Sequence, residues 1–100
     1  NDTLISCSDD GTIKFRDIET GKLLRVLKGH TKGVLDFAFD DEYLISASRD
    51  HTLKVWNIKT GQLVKTLEGH TDDVTAVIIT DDYIVSGSAD KTLKMWKYYE

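Results

Sequence analysis

Displaced by 40 residues, this chain falls into register with itself. Positions 1–60 align with positions 41–100 without a gap, and 25 of the 60 pairs are identical, against roughly 4 for unrelated sequences of this composition. Ser6, Ser46 and Ser86 recur, as do Ser8, Ser48 and Ser88, Asp10, Asp50 and Asp90, and Thr12, Thr52 and Thr92. Gly29-His30-Thr31 returns as Gly69-His70-Thr71, Gly21 as Gly61, and Trp56 as Trp96. A period of this length implies stacked units, each too small to bury its apolar surface alone. Each recurring residue is therefore read first as part of the repeat.

Within one period the pattern is strand throughout. Residues 34–39 are apolar and β-prone, and Asp40-Asp41-Glu42 breaks them. Residues 43–48 alternate bulky and small, and Arg49-Asp50-His51-Thr52 makes a turn. Residues 53–58 place Leu53 and Val55 on one face and Lys54 and Trp56 on the other. A Gly-containing hairpin turn at 59–62 leads to a last strand at 63–67. No window carries helical periodicity. The expected fold is all-β, with four antiparallel strands per unit, apolar on both faces and stacked on like sheets.

Composition narrows the function classes. Hydrophobic residues make up 40% and charged residues 30%, which suits a folded domain rather than a disordered tail. The longest apolar run is four residues, 76–79, where a membrane-spanning helix needs ~20. A net charge of −4 disfavours phosphate backbones and anionic lipid as partners. The single cysteine, Cys7, excludes an internal disulfide framework and fits an intracellular setting, cytoplasm or nucleus.

The pairs Gly29-His30 and Gly69-His70, with Ser46, Ser48, Asp50 and Trp56-Asn57 and their counterparts Ser86, Ser88, Asp90 and Trp96-Lys97, closely resemble the WD-repeat β-propeller family. The final Asp of its signature is Asn57 and Lys97 here, and the first copy has Arg16 in place of the Trp. The resemblance implies a structural network in which the Trp indole meets Ser, Ser meets His, and His meets the turn Asp. Its members would be His30, Ser46, Asp50 and Trp56, then His70, Ser86, Asp90 and Trp96. The first copy, with Ser6 and Asp10 but neither His nor Trp, is left incomplete. The family's usual contact points imply partner-binding candidates at Asp9, Arg49 and Ala89, before each turn Asp, and at Leu35 and Thr75, after the inner-strand Val. Lys32 and Asp72 belong to the same end.

The implied function is a non-enzymatic scaffold for protein–protein interaction. The alternative is a substrate-recognition module of a ubiquitin ligase of the F-box WD-repeat type, reading a phosphorylated or acidic peptide. Ser48-Arg49-Asp50 supports that alternative, because a guanidinium fork suits phosphate or carboxylate. A His, a Ser and an Asp per unit also suggest a hydrolytic triad, but a catalytic site is seldom built twice in adjacent units. No catalytic, cofactor-binding or metal-binding residue is expected. The acidic pairs 9–10, 40–41, 72–73 and 81–82 lack calcium-loop spacing, His51 reads as a solvated turn residue, and Cys7 as a small strand filler.

Strand counting divides the chain into a partial blade at 1–28 (second to fourth strands), a complete blade at 29–68, and a partial blade at 69–100 (first to third strands). The expectation is a section of a larger propeller of about seven blades, completed by further sequence or by other chains. A short chain that closes a ring by self-assembly is the rival.

Overall fold

The structure is a computed structural model that describes residues 2–97; position 1 of the first expected blade and positions 98–100 of the last lie outside the described residues. Ten strands follow one another: β1 (Thr3–Cys7), β2 (Thr12–Asp17), β3 (Leu23–Lys28), β4 (Val34–Phe39), β5 (Tyr43–Ser48), β6 (Thr52–Asn57), β7 (Leu63–Glu68), β8 (Val74–Ile79), β9 (Tyr83–Ser88) and β10 (Leu93–Lys97). They form three antiparallel sheets in chain order: β1-β2-β3, then β4-β5-β6-β7, then β8-β9-β10. The fold is all-β, as the alternation predicts. The strand predicted at 53–58 begins one residue earlier, because Thr52 pairs with Glu68. It also ends one residue earlier, at Asn57, whose carbonyl accepts the Gly61 N–H at 2.8 Å and so opens the turn to β7.

The central sheet is buried on both faces, which is why β5 carries five consecutive buried residues, Leu44 to Ser48. Ile45, Ala47, Leu53, Val55 and Leu67 pack against Val74, Val77 and Ile84 of the third sheet. Val34, Leu44 and Trp56, on the opposite face, pack against Ile13, Phe15 and Leu27 of the first. Each large apolar side chain so buried contributes roughly 1.5–3 kcal/mol. One period on from Leu53 and Val55, which are 0% and 1% exposed, Leu93 and Met95 are 78% and 65% exposed. The sequence position is equivalent; only the covering sheet differs.

Two polar clamps add to these apolar seams. Arg25 on β3 donates from Nη1 to the Ile58 carbonyl at 2.8 Å and from Nη2 to the Lys59 carbonyl at 2.9 Å. Its guanidinium also lies 5.7 Å from the centre of the Phe15 ring, so it ties the first sheet to the β6–β7 hairpin. Asp36 on β4 accepts the Val77 N–H from β8 at 3.1 Å. The first strands of the second and third sheets, β4 and β8, each carry a bulge, in which register skips from Val34 to Asp36 and from Val74 to Ala76. Leu35 and Thr75 are the unpaired extra residues, and such a bulge turns its side chain out of the pleat.

Candidate functional site

In the second and third sheets the recurring polar residues lie in one chain of hydrogen bonds each. Trp56 Nε1–H donates to Ser46 Oγ at 2.9 Å. Ser46 Oγ lies 2.6 Å from His30 Nε2, and His30 Nδ1 lies 2.9 Å from Asp50 Oδ2. Asp50 cannot donate when ionised, so the Nδ1 proton belongs to His30, and Nε2 accepts from the Ser46 hydroxyl. Thr52 closes the chain by donating its hydroxyl to Asp50 Oδ1 at 2.6 Å. The third sheet repeats the arrangement, with Trp96 to Ser86 at 2.9 Å, Ser86 to His70 at 2.8 Å and His70 to Asp90 at 2.8 Å. Among the described residues, no buried side-chain nitrogen or oxygen lacks a hydrogen-bond partner. Gly29 is part of the construction, because a Cβ there would stand 3.0 Å from Trp56 Cη2.

The electrostatics follow from burial and partners. Burial pushes the His30 imidazole below its ordinary range, outweighing the opposing pull of Asp50. Burial raises the Asp50 carboxyl, but the bonds from Thr52, His30 and the Thr31 N–H overcome it and bring it to about 2. Asp90 is held low chiefly by the Thr92 hydroxyl. In the first sheet, Asp10 binds Thr12 in the same way, and Lys14 Nζ stands 3.4 Å from its Oδ2, the oxygen that faces histidine in the other copies. Arg16 occupies the Trp position and donates instead to the Gly21 carbonyl.

Ser46, His30 and Asp50 thus have the spacing of a nucleophilic triad, and the surroundings oppose that use. Ser46 is 0% exposed, and its oxygen already accepts the indole proton. A nucleophile must reach a substrate carbonyl, and no face of this hydroxyl is open to one. Cys7 is half-buried, its thiol raised by burial and by Asp36, the reverse of what a reactive thiolate needs.

The non-repeating candidates gather on the rim around the β1–β2, β5–β6 and β9–β10 turns. Ser48 Oγ and the Arg49 N–H both donate to the Gly33 carbonyl, at 3.0 and 2.9 Å. One period on, Ser88 Oγ and the Ala89 N–H both donate to the Asp73 carbonyl, at 2.9 Å each. These bonds hold Lys32 beside Arg49, and Asp72 beside Ala89. Gly33 also packs on Asp9, since a Cβ at Gly33 would lie 3.1 Å from Asp9 Cα. Asp9, Lys32, Arg49, Asp72, Thr75 and Ala89 are exposed, and Leu35 is half-buried.

Two rim contacts were not foreseen from the sequence. Arg49 Nη1 pairs with Asp73 Oδ2 at 3.1 Å, so the guanidinium is already engaged on one edge. His51 is half-buried, and a ring nitrogen of it lies within 4.8 Å of carboxylate oxygens of Asp72 and Asp73 of the next unit. The signal was present as departure from the period: His51 replaces Gly11, and Asp73 replaces Gly33, at places the turn brings together.

Comparison with known proteins gives one family. The family model described as WD domain, G-beta repeat matches residues 1–17, 21–57 and 61–97. Each of the last two segments joins the final strand of one sheet to the first three of the next, so the sequence repeat is staggered against the sheets by one strand. Among curated relatives, a Lissencephaly-1 homolog of Caenorhabditis briggsae is 57% identical over 37 residues, which is 37% of this chain and 10% of that protein. An F-box protein of Saccharomyces cerevisiae is 50% identical over 38 residues, 38% of this chain and 6% of that protein. The matched stretch is thus a tenth or less of either relative. Among solved structures, the computationally designed Ika4 protein superposes with a TM-score of 0.87 at 39% identity, covering 97% of this chain and 61% of that one. The designed Ika8 protein gives the same score and identity, with 30% of its own chain covered.

Proposed function

The chain belongs to the WD-repeat family, and from that premise we propose that it is a non-enzymatic platform that binds other proteins or peptides through the rim of its blades. The observation that carries this reading is the contrast between the two residue sets. The periodic polar residues of the second and third sheets are consumed in their own hydrogen-bond chains, whereas the varied residues Asp9, Lys32, Arg49, Asp72 and Ala89 are exposed on turns and loops pinned by backbone hydrogen bonds, and Thr75 is exposed at the β8 bulge. Loops already held in place lose little entropy when a partner docks. Neither nucleic acid nor membrane is part of the reading, and the proposed setting is intracellular. In the same reading, residues 1–28 are a partial blade, 29–68 a complete blade and 69–100 a partial blade of one propeller, and the open face beside Leu93 and Met95 is covered by the remaining blades.

The test is comparative capture from a cell extract, with the chain against a rim variant carrying Asp9→Ala, Lys32→Ala, Arg49→Ala and Asp72→Ala. A partner held by the native chain and lost by the variant, with unchanged circular dichroism, supports the platform. Equal capture by both opposes it.

A second reading, a ubiquitin-ligase receptor for a phosphorylated or acidic peptide, is favoured by the match to an F-box protein and by Arg49. The Asp73 carboxylate on that guanidinium works against it, since an incoming phosphate would have to displace it. Under this reading a phosphopeptide binds the native chain more tightly than its unphosphorylated form and Arg49→Ala abolishes that preference; equal binding of the two forms by the native chain leaves the first reading alone.

A further inference from the structure

We propose that His51, Asp72 and Asp73 form a binding site for a divalent transition metal, zinc in the first instance, at the seam between the central and third sheets. Each residue offers one ligand atom, and these atoms all lie within 4.8 Å of one another. Ligands around tetrahedral zinc at 2.0–2.1 Å stand roughly 3.4 Å apart, so side-chain rotation of about 1 Å closes the set. One imidazole nitrogen and two carboxylates suit zinc and its neighbours, whereas calcium and magnesium prefer oxygen-only shells.

The convergence is built into the repeat. The third residue of the hairpin turn has a left-handed backbone in every copy: φ is 86° at Gly11, 75° at His51 and 73° at Lys91. A Cβ at Gly11 would lie 2.7 Å from the His30 carbonyl oxygen and 3.0 Å from that of Lys32. This position therefore aims its side chain at the loop of the following sheet. One period on, that loop carries Asp72 and Asp73, and the Ser88 and Ala89 bonds to the Asp73 carbonyl fix its backbone. The Asp73 N–H donates to Asp72 Oδ1 at 2.7 Å, which orients that carboxylate.

Arg49 sets the affinity. Its Nη1 sits 3.1 Å from Asp73 Oδ2 and is the cation that balances this carboxylate in the metal-free protein. A bound ion must share or displace it. His30 and His70 are buried with both ring nitrogens engaged, and the chain has three histidines. His51 is thus the imidazole open to metal, which makes the assignment clean to test. A metal here would join two sheets and stabilise their seam. The proposal goes beyond the platform reading, and no partner enters its test.

The experiment is calorimetric titration of the chain with zinc chloride, with thermal unfolding followed in parallel. The native chain should bind a single equivalent and melt at higher temperature with zinc present. His51→Gly should weaken binding roughly tenfold or more and abolish the thermal shift; glycine suits this backbone, as Gly11 shows, so folding is preserved. Asp72→Asn should weaken binding too, and Arg49→Ala should tighten it several-fold. No heat and no thermal shift at millimolar zinc would overturn the proposal. So would an affinity unchanged by His51→Gly, which would place the ion on Cys7 or on scattered carboxylates.

Discussion

Replacing Ser46 with alanine removes one oxygen atom from a position that is 0% exposed. Two groups lose their partner at once: the Trp56 indole N–H, 2.9 Å away, and His30 Nε2, 2.6 Å away. Neither is near water, and each buried orphan costs about 1–3 kcal/mol, so the expected loss is about 2–6 kcal/mol. In a domain of this size a loss of 2 kcal/mol lowers the melting temperature by roughly 10 °C. Ser6 supplies the control. It stands at the same place in the repeat, but Arg16 replaces the Trp and no histidine precedes it. Ser6 is also exposed, so Ser6→Ala should change stability by no more than about 0.5 kcal/mol. Urea unfolding followed by tryptophan fluorescence measures both variants. Equal midpoints for Ser46→Ala and Ser6→Ala would refute the reasoning, because the periodic serine would then owe nothing to its partners.

Acid should destabilise the protein in two stages. His30 in the folded state is held below 6.5, so the unfolded chain takes up a proton first, and stability present above pH 6.5 declines as pH falls. Asp50, at about 2 folded against 3.8 ordinarily, removes a further share below pH 4; a urea midpoint higher at pH 5 than at pH 7.5 would contradict this. Arg25→Ala frees the carbonyls of Ile58 and Lys59 and uncovers Phe15, and should cost about 1–2 kcal/mol in urea unfolding. Gly29→Ala drives a methyl to 3.0 Å from Trp56 Cη2 and should cost about 1–3 kcal/mol, seen also as a changed indole emission. Ser46→Ala should abolish no hydrolytic activity, since ester substrates should show none with the native chain.

The fold was legible because two periodicities agree. A 40-residue echo names the unit, and alternation at Leu53, Lys54, Val55 and Trp56 assigns each side chain to a face that the structure fills from opposite neighbours. Registers were less legible. The bulges that leave Leu35 and Thr75 unpaired insert one residue into an otherwise β-prone run, and no turn residue marks them. The rim contacts were half legible: departures from the period mark His51 and Asp73 but not their encounter. Arg49 with Asp73, and His51 with both aspartates, join residues of different sheets, so their encounter depends on stacking geometry that local pattern does not encode. Arg25 hides similarly: as an outer-strand charge it reads as solvated, yet it reaches across to the carbonyls of Ile58 and Lys59.

The account rests on the periodic histidines being neutral links inside each blade rather than free or reacting groups. Nitrogen-15 NMR of the imidazole rings at neutral pH tests that directly. His30 and His70 should both show a protonated, slowly exchanging Nδ1 and an unprotonated Nε2. Either ring appearing as an exchange-averaged mixture of tautomers, or protonated at Nε2, would contradict it.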